Sequence, residues 1–311
     1  MAAEKTLSIF LNTDRIYLTG VRIDNNRAML DYIESTNHHI DLENIDSDES
    51  KNGLKELESI LSGLDFKPDR LTITLPAESI FITKFPAKST YSKDQLRQLI
   101  NLELRQAYPE FSYENFQVMI TPLYAPKTKQ ESMIGMIILK SDMEFLSNYF
   151  AKFGLKINNF EISQLASYST FMFNYPEMRE KTVMIIGYQG QFLDFTVHKN
   201  GQTLYYNINS ISDVNQIGEA TEKEYAKIQE TTVDEVDAVY FYGSSLTRNI
   251  TLSLWETGMV LGIMEAKRLN AFRMMGTTLD KRHLEYCSRT FQIYPPCVGS
   301  GLKRWHTLIN V

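Results

Sequence analysis

The sequence predicts an α/β protein of two related lobes, with a small α+β insert in the first lobe. The main observation is a three-strand pattern that occurs at residues 6–33 and again at residues 182–208. In both copies short polar turns separate β-rich apolar runs, with Asn25-Asn26 in the first and Asn200-Gly201 in the second. Asn-Gly between such runs favours a hairpin, because both central residues of a type I′ turn need positive φ. Two such meanders predict a cleft between two halves of the molecule.

Length and composition favour a soluble protein of about two domains. The chain has 311 residues, of which 43% are hydrophobic and 23% charged, as is typical of globular proteins. Its net charge of -6 argues against nucleic acid and anionic membranes as partners. No apolar run approaches the ~20 residues that span a bilayer, and the N-terminal segment lacks a signal-peptide pattern. Cys287 and Cys297 are expected as reduced thiols, which favours a cytoplasmic location.

The order of the predicted elements divides the chain into four segments. The first meander leads through an acidic loop into a helix, and the second meander is followed by helix, strand and helix. The segments are 1–69, the first part of lobe 1; 70–155, the insert; 156–180, a connecting helix and the return to lobe 1; and 181–311, lobe 2. No low-complexity linker separates them, so we expect the lobes to pack together.

The insert is predicted to run strand, strand, helix, strand, strand, helix. Two alternating apolar runs flank Pro76-Ala77-Glu78 and predict the first two strands. Ser92 and Gln95 have the spacing of a capping box at the start of a helix. Pro109 ends that helix, because it disfavours α geometry in the residue before it. After two further strands, apolar positions at i, i+3, i+4 and i+7 predict a helix that ends at Gly154.

The order of these elements resembles the PilM branch of the actin-like ATPase superfamily, the type IV pilus assembly proteins related to the cell-division protein FtsA. The resemblance is carried by LTITLPAESIFITKFPA with DQLRQLINLELRQAYP, INNFEISQLASYSTF, HKNGQTLYYNINSI, RLNAFRMM and YPPCVGSGLKR. Each motif is weak alone, but their order and spacing cover nearly the whole chain. The resemblance implies an actin-like (ribonuclease H-like) fold of two lobes, with a nucleotide cleft between them.

The nucleotide motifs of that superfamily are degenerate in this chain. In each half of the family a strand ends in Asp-x-Gly, whose acid holds the Mg²⁺–water cluster and whose glycine lets backbone N–H groups approach the phosphates. Here the two motifs fall on Phe10-Leu11-Asn12 and Gly187-Tyr188-Gln189, so both acids and both glycines are missing. One glycine remains of the run expected before the adenosine pocket. The degenerate positions are Phe10, Asn12, Thr13, Gly187, Gln189, Gly243, Ser244 and Ser245.

We therefore expect no catalytic residue, no metal and no cofactor, with ATP and Mg²⁺ disfavoured, because a magnesium nucleotide needs carboxylate ligands. The cleft is expected to be closed or filled by side chains such as Phe10 and Tyr188. One alternative is a working ATPase or small-molecule kinase in which Asn12-Thr13-Asp14 holds the metal. Another treats Phe10 and Gly187 as ordinary core and turn residues, and Asp14 and Asp194 as ordinary surface acids.

The insert carries more aromatic residues at strand and helix ends than a unit of its size needs to bury. The set comprises Phe81, Phe85, Tyr91, Tyr108, Phe111, Tyr113 and Phe116. We predict an exposed apolar groove for a peptide, with Phe81, Phe85, Tyr91 and Tyr108 as partner-binding residues. The alternative is a core of unusually large residues.

The resemblance implies a scaffold that binds the short cytoplasmic N-terminal segment of a PilN-like inner-membrane protein, in a groove between the first lobe and the insert. The complex would join other components on the cytoplasmic side of a pilus or secretion machine, peripheral to the inner membrane through its partner. Neither nucleic acid nor direct membrane insertion is expected. A weaker alternative is an FtsA-like polymer, but LKRWHTLINV is a poor match to the amphipathic membrane tail of FtsA-type proteins. The oligomeric state stays open.

Overall fold

The computed structural model describes residues 3–25, 27–110, 112–263 and 265–311. Asn26 of the predicted first turn and Phe111 of the insert aromatics lie outside the described residues. The strands are β1 (Glu4–Leu11), β2 (Ile16–Asp24), β3 (Arg27–Ser35), β4 (Arg70–Leu75), β5 (Phe81–Pro86), β6 (Phe116–Ala125), β7 (Gln130–Leu139), β8 (Ile157–Ile162), β9 (Val183–Gln189), β10 (Phe192–Lys199), β11 (Gln202–Ser210), β12 (Ala238–Tyr242), β13 (Glu265–Arg268), β14 (Gly276–Thr277) and β15 (Ile309–Asn310). The helices are α1 (Asp48–Ser62), α2 (Lys93–Ala107), α3 (Lys140–Ala151), α4 (Ser163–Asn174), α5 (Ile217–Thr231), α6 (Arg248–Val260), α7 (Lys281–Thr290) and α8 (Pro295–Ser300). Of these described helices, none is long and apolar enough to cross a membrane.

Two of the three sheets have the same plan, as the repeated sequence pattern predicts. In the six-stranded sheet the antiparallel meander β3-β2-β1 continues into the parallel strands β4 and β8, and β14 pairs with the outer side of β3. In the five-stranded sheet the antiparallel meander β11-β10-β9 continues into the parallel strands β12 and β13. The predicted α/β fold of two related halves is therefore confirmed.

The turn between β10 and β11 has the backbone that its sequence predicts. Asn200 and Gly201 have φ of 51° and 77°. A type I′ hairpin requires positive φ at both central residues, and Asn and Gly tolerate it best. Asn25, in the corresponding turn of the first meander, also has a positive φ of 46°.

The third sheet, in the order β15-β6-β7-β5, belongs to the insert and is packed on both faces. On one face, α2 and the sheet enclose an apolar cluster that includes Phe85, Ile100 and Val118. On the other face, Met136 joins a cluster that contains residues of the first lobe and Tyr206 of β11. The insert therefore contacts both lobes, and it packs beside the edge strand of the five-stranded sheet.

The extent of the insert differs from the prediction at both ends. β4, predicted as its first strand, lies in the six-stranded sheet between β1 and β8. β4 is buried on both faces, as a central parallel strand should be, and its alternating sequence does not indicate to which sheet it belongs. α3, predicted as its last helix, packs Leu146 and Phe150 into the same cluster as Leu57 of α1. We propose to restrict the insert to residues 76–139.

The C-terminal segment returns to the first lobe and the insert, although residues 181–311 are all predicted in lobe 2. β14 pairs with β3, β15 pairs with β6, and α8 packs against α4 and β1. Strands of two residues carry no periodic signal, so the sequence alone could not place them.

Helix α4, the predicted connecting helix, is almost entirely buried at the centre of the molecule. Thr170 Oγ1 donates a hydrogen bond at 2.6 Å to the carbonyl oxygen of Pro295, the first residue of α8. Helix α8 lies so close that a Cβ at Gly299 would overlap the carbonyl oxygen of Ala166 in α4. The contact between α4 and α8 thus joins the C-terminal segment to the middle of the chain.

Replacing Gly299 with alanine should destabilise the protein, because the added Cβ has no space beside the backbone of α4. We expect the free energy of unfolding to fall by about 1–3 kcal/mol, as in other overpacked cores. Urea denaturation followed by circular dichroism measures the change. Gly63→Ala is the matched control, since the nearest atom to a Cβ there lies 3.6 Å away. If both variants were as stable as the unmodified protein, the close packing of α4 and α8 would be disproved.

Candidate functional site

The turns of the two meanders face each other across the cleft between the lobes. A Cβ at Gly190, in the β9–β10 turn, would lie 3.1 Å from Thr13 Oγ1 in the β1–β2 turn. Asn12 Nδ2 donates a hydrogen bond to Ser244 Oγ at 3.0 Å and so links the end of β1 to the segment after β12. Three of the predicted positions, Asn12, Thr13 and Ser244, therefore lie together where the cleft opens.

The space above Gly187 is occupied by two residues of the neighbouring strands. Asp194 of β10 and Tyr242 of β12 both lie opposite Gly187, and a Cβ at Gly187 would overlap the carboxylate and the ring. The Tyr242 hydroxyl donates to the two Asp194 oxygens at 3.0 and 3.1 Å. Asp194 is only 4% exposed, so its interpretation as a surface acid is wrong. Residue 187, predicted from the sequence as a degenerate nucleotide position, therefore has no space for a side chain.

Phe10 and Tyr188 do not fill the cleft, contrary to the hypothesis based on the sequence. Phe10 is buried in a cluster beside α8, and its ring stacks on that of Tyr17 with centroids 6.2 Å apart. Tyr188 is buried in the core of the second lobe. Because side chains alternate along a strand, Tyr188 projects from the face of β9 opposite to that of Gly187. The cleft is filled instead by Asp194 and the polar residues of the two turns.

Gly243 is required by backbone packing. Its φ is 130°, and a Cβ would overlap the carbonyl oxygen of Tyr188. Its N–H donates to Gln292 O at 2.8 Å, and the N–H of Ser245 donates to Tyr188 O at 3.3 Å. Residues 243–245 are thus held between β9 and the C-terminal segment, and this contact explains the glycine without any phosphate.

Buried polar side chains lie next to these turns, and of them Glu78 and Tyr206 are absent from the site positions predicted from the sequence. Gln189 is 3% exposed, and neither of its amide atoms has a partner among the described residues. Burial raises the pKa of Asp194 to about 7 and that of Glu78 to about 7. Burial, and then the charges of Asp194 and Glu78, raise the pKa of the Tyr206 hydroxyl, which also lacks a partner. The cleft therefore contains two carboxyl groups that hold their protons near neutral pH.

A small pocket opens beside the β1–β2 turn, between the first lobe and the start of the insert. It has a volume of about 200 Å³ and is lined by residues 12–13, 39–43 and 78–79. Pockets for drug-sized ligands measure about 300–1,000 Å³. Asp41, Glu43 and Glu78 line this pocket, whereas no described Lys or Arg does. It is therefore too small and too negative for a nucleoside triphosphate.

Asp14, the candidate for a shifted metal ligand, is exposed in the β1–β2 turn. Its carboxylate accepts hydrogen bonds from Asn12 Nδ2 at 2.6 Å and from the Tyr17 hydroxyl at 2.8 Å. In the part of the chain that the structure describes, no three His, Cys, Asp or Glu side chains are grouped to hold a metal ion. The geometry gives the shifted-ligand alternative no support.

The predicted partner-binding residues have different environments. Phe85 is 2% exposed in the core between α2 and the insert sheet, so its assignment to an exposed groove is wrong. Because side chains alternate between the two faces of a strand, the Phe85 ring lies on the face of β5 that α2 covers. Phe81 and Tyr108 are partly buried and meet edge to face, with ring centroids 4.8 Å apart. Tyr91 is 36% exposed. Phe81, Tyr91 and Tyr108 remain predicted partner-binding residues.

Comparison with known proteins supports the fold. No protein-family model and no curated protein matches the sequence. A chain of a PilM–PilN type IV pilus biogenesis complex superposes with a TM-score of 0.68, at 11% identity over 95% of this chain and 97% of that chain. A Bacteroides thetaiotaomicron protein with an actin-like ATPase fold and unknown function superposes with a TM-score of 0.52, at 17% identity over 85% of this chain and 90% of that chain. At such low identities these similarities establish the fold: the chain has the actin-like ATPase fold.

The variant Asp194→Asn should change how stability depends on pH. An acid whose pKa rises on folding lowers stability as the pH increases from its unfolded to its folded pKa, because the unfolded chain then binds fewer protons. For Asp194 this window runs from 3.8 to about 7. Asparagine does not ionise, so it removes this pH-dependent loss of stability. Its amide oxygen can still accept a hydrogen bond from the Tyr242 hydroxyl.

Relative to the unmodified protein, Asp194→Asn should therefore gain on the order of 2 kcal/mol between about pH 4 and about pH 7. Urea unfolding at both pH values measures the gain. Asp14→Asn, which replaces an exposed acid of the β1–β2 turn, is the control for the change from Asp to Asn. A stability difference that is constant with pH would contradict the raised pKa of Asp194.

Proposed function

We propose that this protein is a scaffold of a type IV pilus or a related secretion machine. It binds the cytoplasmic N-terminal segment of a PilN-like inner-membrane protein and does not hydrolyse ATP. The observation that carries the proposal is the similarity to a chain of the PilM–PilN type IV pilus biogenesis complex along nearly the full length of both chains. A partner of this kind places the protein in the cytoplasm, peripheral to the inner membrane.

The contacts inside the cleft support a role without ATP hydrolysis. Asp194 and Tyr242 occupy the space above Gly187, and the hydrogen bond from Asn12 to Ser244 joins the two lobes where phosphates would enter. The pocket beside the β1–β2 turn presents three carboxylates to any anion. Without a metal to offset these charges, a triphosphate is repelled.

The partner segment is proposed to lie between the first lobe and the insert, along the outer side of β5. β5 pairs with β7 on one side, and no other described strand pairs with its second side. An extended peptide can form main-chain hydrogen bonds with such an edge. The partly buried rings of Phe81 and Tyr108 lie at the start of β5 and offer apolar contacts. Each Å² of apolar surface buried there contributes ~25 cal/mol.

A peptide with the first ~15 residues of a candidate inner-membrane partner should bind the full chain with measurable affinity, although it orders on binding. The best candidate is a single-span membrane protein encoded next to this one. The Phe81→Ala variant should bind the peptide at least about tenfold more weakly, because it loses a ring at the proposed groove. Isothermal titration calorimetry measures both affinities.

The control for this experiment is Phe291→Ala, which removes another partly buried ring far along the chain, after α7. It should leave peptide affinity unchanged. Equal weakening by both variants would indicate a general loss of structure. Undiminished binding by Phe81→Ala would refute the proposed position of the groove.

Mg²⁺-ATP should bind with a dissociation constant weaker than about 1 mM, which calorimetry with the full chain measures. Introducing the acid of the superfamily through Gly187→Asp should not restore binding, because its side chain has no space beside Asp194 and Tyr242. Micromolar binding of Mg²⁺-ATP by the unmodified protein would exclude the proposed role and favour the ATPase alternative.

A further inference from the structure

We infer that the small pocket beside the β1–β2 turn, called the acceptor pocket below, binds a primary ammonium group. Its walls are the turn residues Asn12 and Thr13, the loop 39–43 and the residue pair 78–79. The inference rests on the chemistry of these walls. Among the described residues, their acidic side chains form no ion pair, and several of their buried oxygens accept no hydrogen bond.

The carboxylates of the acceptor pocket have no countercharge. Asp41, Glu43 and Glu78 line it, and none of the three forms an ion pair within the described ranges. His39 also lines the pocket, but its Nδ1 faces Glu49 at 3.4 Å. Asp194 and Tyr206 interact electrostatically with Glu78, and neither adds positive charge. A bound cation would therefore meet the acids Asp41 and Glu43, and it would also favour the charged form of Glu78.

Asn12 supplies the second, independent observation. It is 1% exposed, and its Nδ2 donates to Asp14 Oδ1 at 2.6 Å and to Ser244 Oγ at 3.0 Å. These two bonds fix the amide, because the reversed orientation would place its oxygen against the Asp14 carboxylate. Asn12 Oδ1 is left buried without a donor in the wall of the acceptor pocket. A fixed, unpartnered acceptor of this kind requires a ligand that donates.

Two further oxygens also lack a hydrogen-bond donor among the described residues. Thr13 Oγ1 and Glu78 Oε1 are buried and without a partner, and both line the acceptor pocket. They lie 3.1 and 3.6 Å from the Cβ position of Gly190, so they converge on the same side of the β9–β10 turn. Together with Asn12 Oδ1, three buried oxygens of residues that line the pocket lack a partner within the described chain.

A primary ammonium matches these features better than other ligands. It carries three N–H donors, no acceptor and one positive charge, whereas an anion would face three carboxylates. The volume of about 200 Å³ admits an amine and its adjoining carbons but not a nucleotide. Burial raises the pKa of Glu78 to about 7, and a bound cation would lower it again.

The ammonium can come from the amino terminus of a peptide or from a lysine side chain. Ser79 lines the acceptor pocket, and β5 begins at Phe81, two residues later. A peptide along β5 could therefore place either group in the pocket. The assignment of the ammonium to the partner segment rests on the proposed function, whereas the inference of an amine site does not.

The test titrates the full chain with three probes and follows ¹H–¹⁵N NMR shifts. Leucinamide carries a free α-amine, Nα-acetyl-lysinamide carries a side-chain ammonium, and Nα-acetyl-leucinamide carries no cation. At least one cationic probe should bind with a dissociation constant on the order of 1 mM, with shifts around residues 12–13 and 78–79. The cationic probe that binds more tightly shows whether the ammonium comes from an amino terminus or from a lysine side chain. The neutral probe should bind at least about tenfold more weakly than that one.

Two variants test the lining. Glu78→Gln and Asp41→Asn should each weaken binding of the better cationic probe at least about fivefold, because each removes a carboxylate from the pocket. The control Glu58→Gln removes an exposed acid of α1 and should leave the affinity unchanged. The melting temperature of each variant checks that it is folded. If both Glu78→Gln and Asp41→Asn bind like the control, the inference is overturned.

The inference is also overturned if the neutral probe binds as tightly as the cationic probes, or if no probe binds. These results are independent of the partner experiment. Amine binding without binding of the partner peptide supports the acceptor pocket and counts against the proposed function. Peptide binding without amine binding supports the proposed function and overturns the inference that the acceptor pocket binds an amine.

Discussion

The structure depends on the absence of a side chain at residue 187. Because Gly187 has no Cβ, the Asp194 carboxylate and the Tyr242 ring can lie against the backbone of β9 in the second lobe. The Tyr242 hydroxyl donates to this buried carboxylate, but burial outweighs its hydrogen bonds, so the charged form is costly and the pKa is raised. The chain itself thereby uses the space that a metal-bound phosphate would need.

Close backbone approaches at two other glycines join segments that are distant in sequence. Gly243 lies against the carbonyl of Tyr188, and Gly299 lies against the carbonyl of Ala166. In each case a helix or loop from one part of the chain meets the backbone of another, where any side chain would force them apart. The insert also packs beside β11. As a result of these contacts, the protein's own side chains occupy the interior of the cleft.

The sequence predicted those features that depend on local signals. The capping box is present, since Ser92 N donates to Gln95 Oε1 at 2.9 Å and Gln95 N donates to Ser92 Oγ at 3.3 Å. The sheet of β4 and the pairing of β14 and β15 depend on contacts distant in sequence, and no local pattern specifies them. In the site, the family resemblance named Asn12 and Ser244 as degenerate nucleotide positions, but their hydrogen bond joins residues far apart in sequence and no local pattern specifies it. Asp194 was missed, although an acid inside the apolar run FLDFTV is a signal for a buried functional group.

The absence of acids at positions 10, 12, 187 and 189 does not make the cleft neutral. The carboxylates of the acceptor pocket remain, and no described Lys or Arg among its lining residues offsets them. The chemistry of this pocket suits a compact cation better than an anion. A peptide scaffold benefits from such a group, because apolar contacts along a strand edge tolerate a shift in register. One charged group held by fixed acceptors does not tolerate that shift, and it thereby sets where the peptide begins.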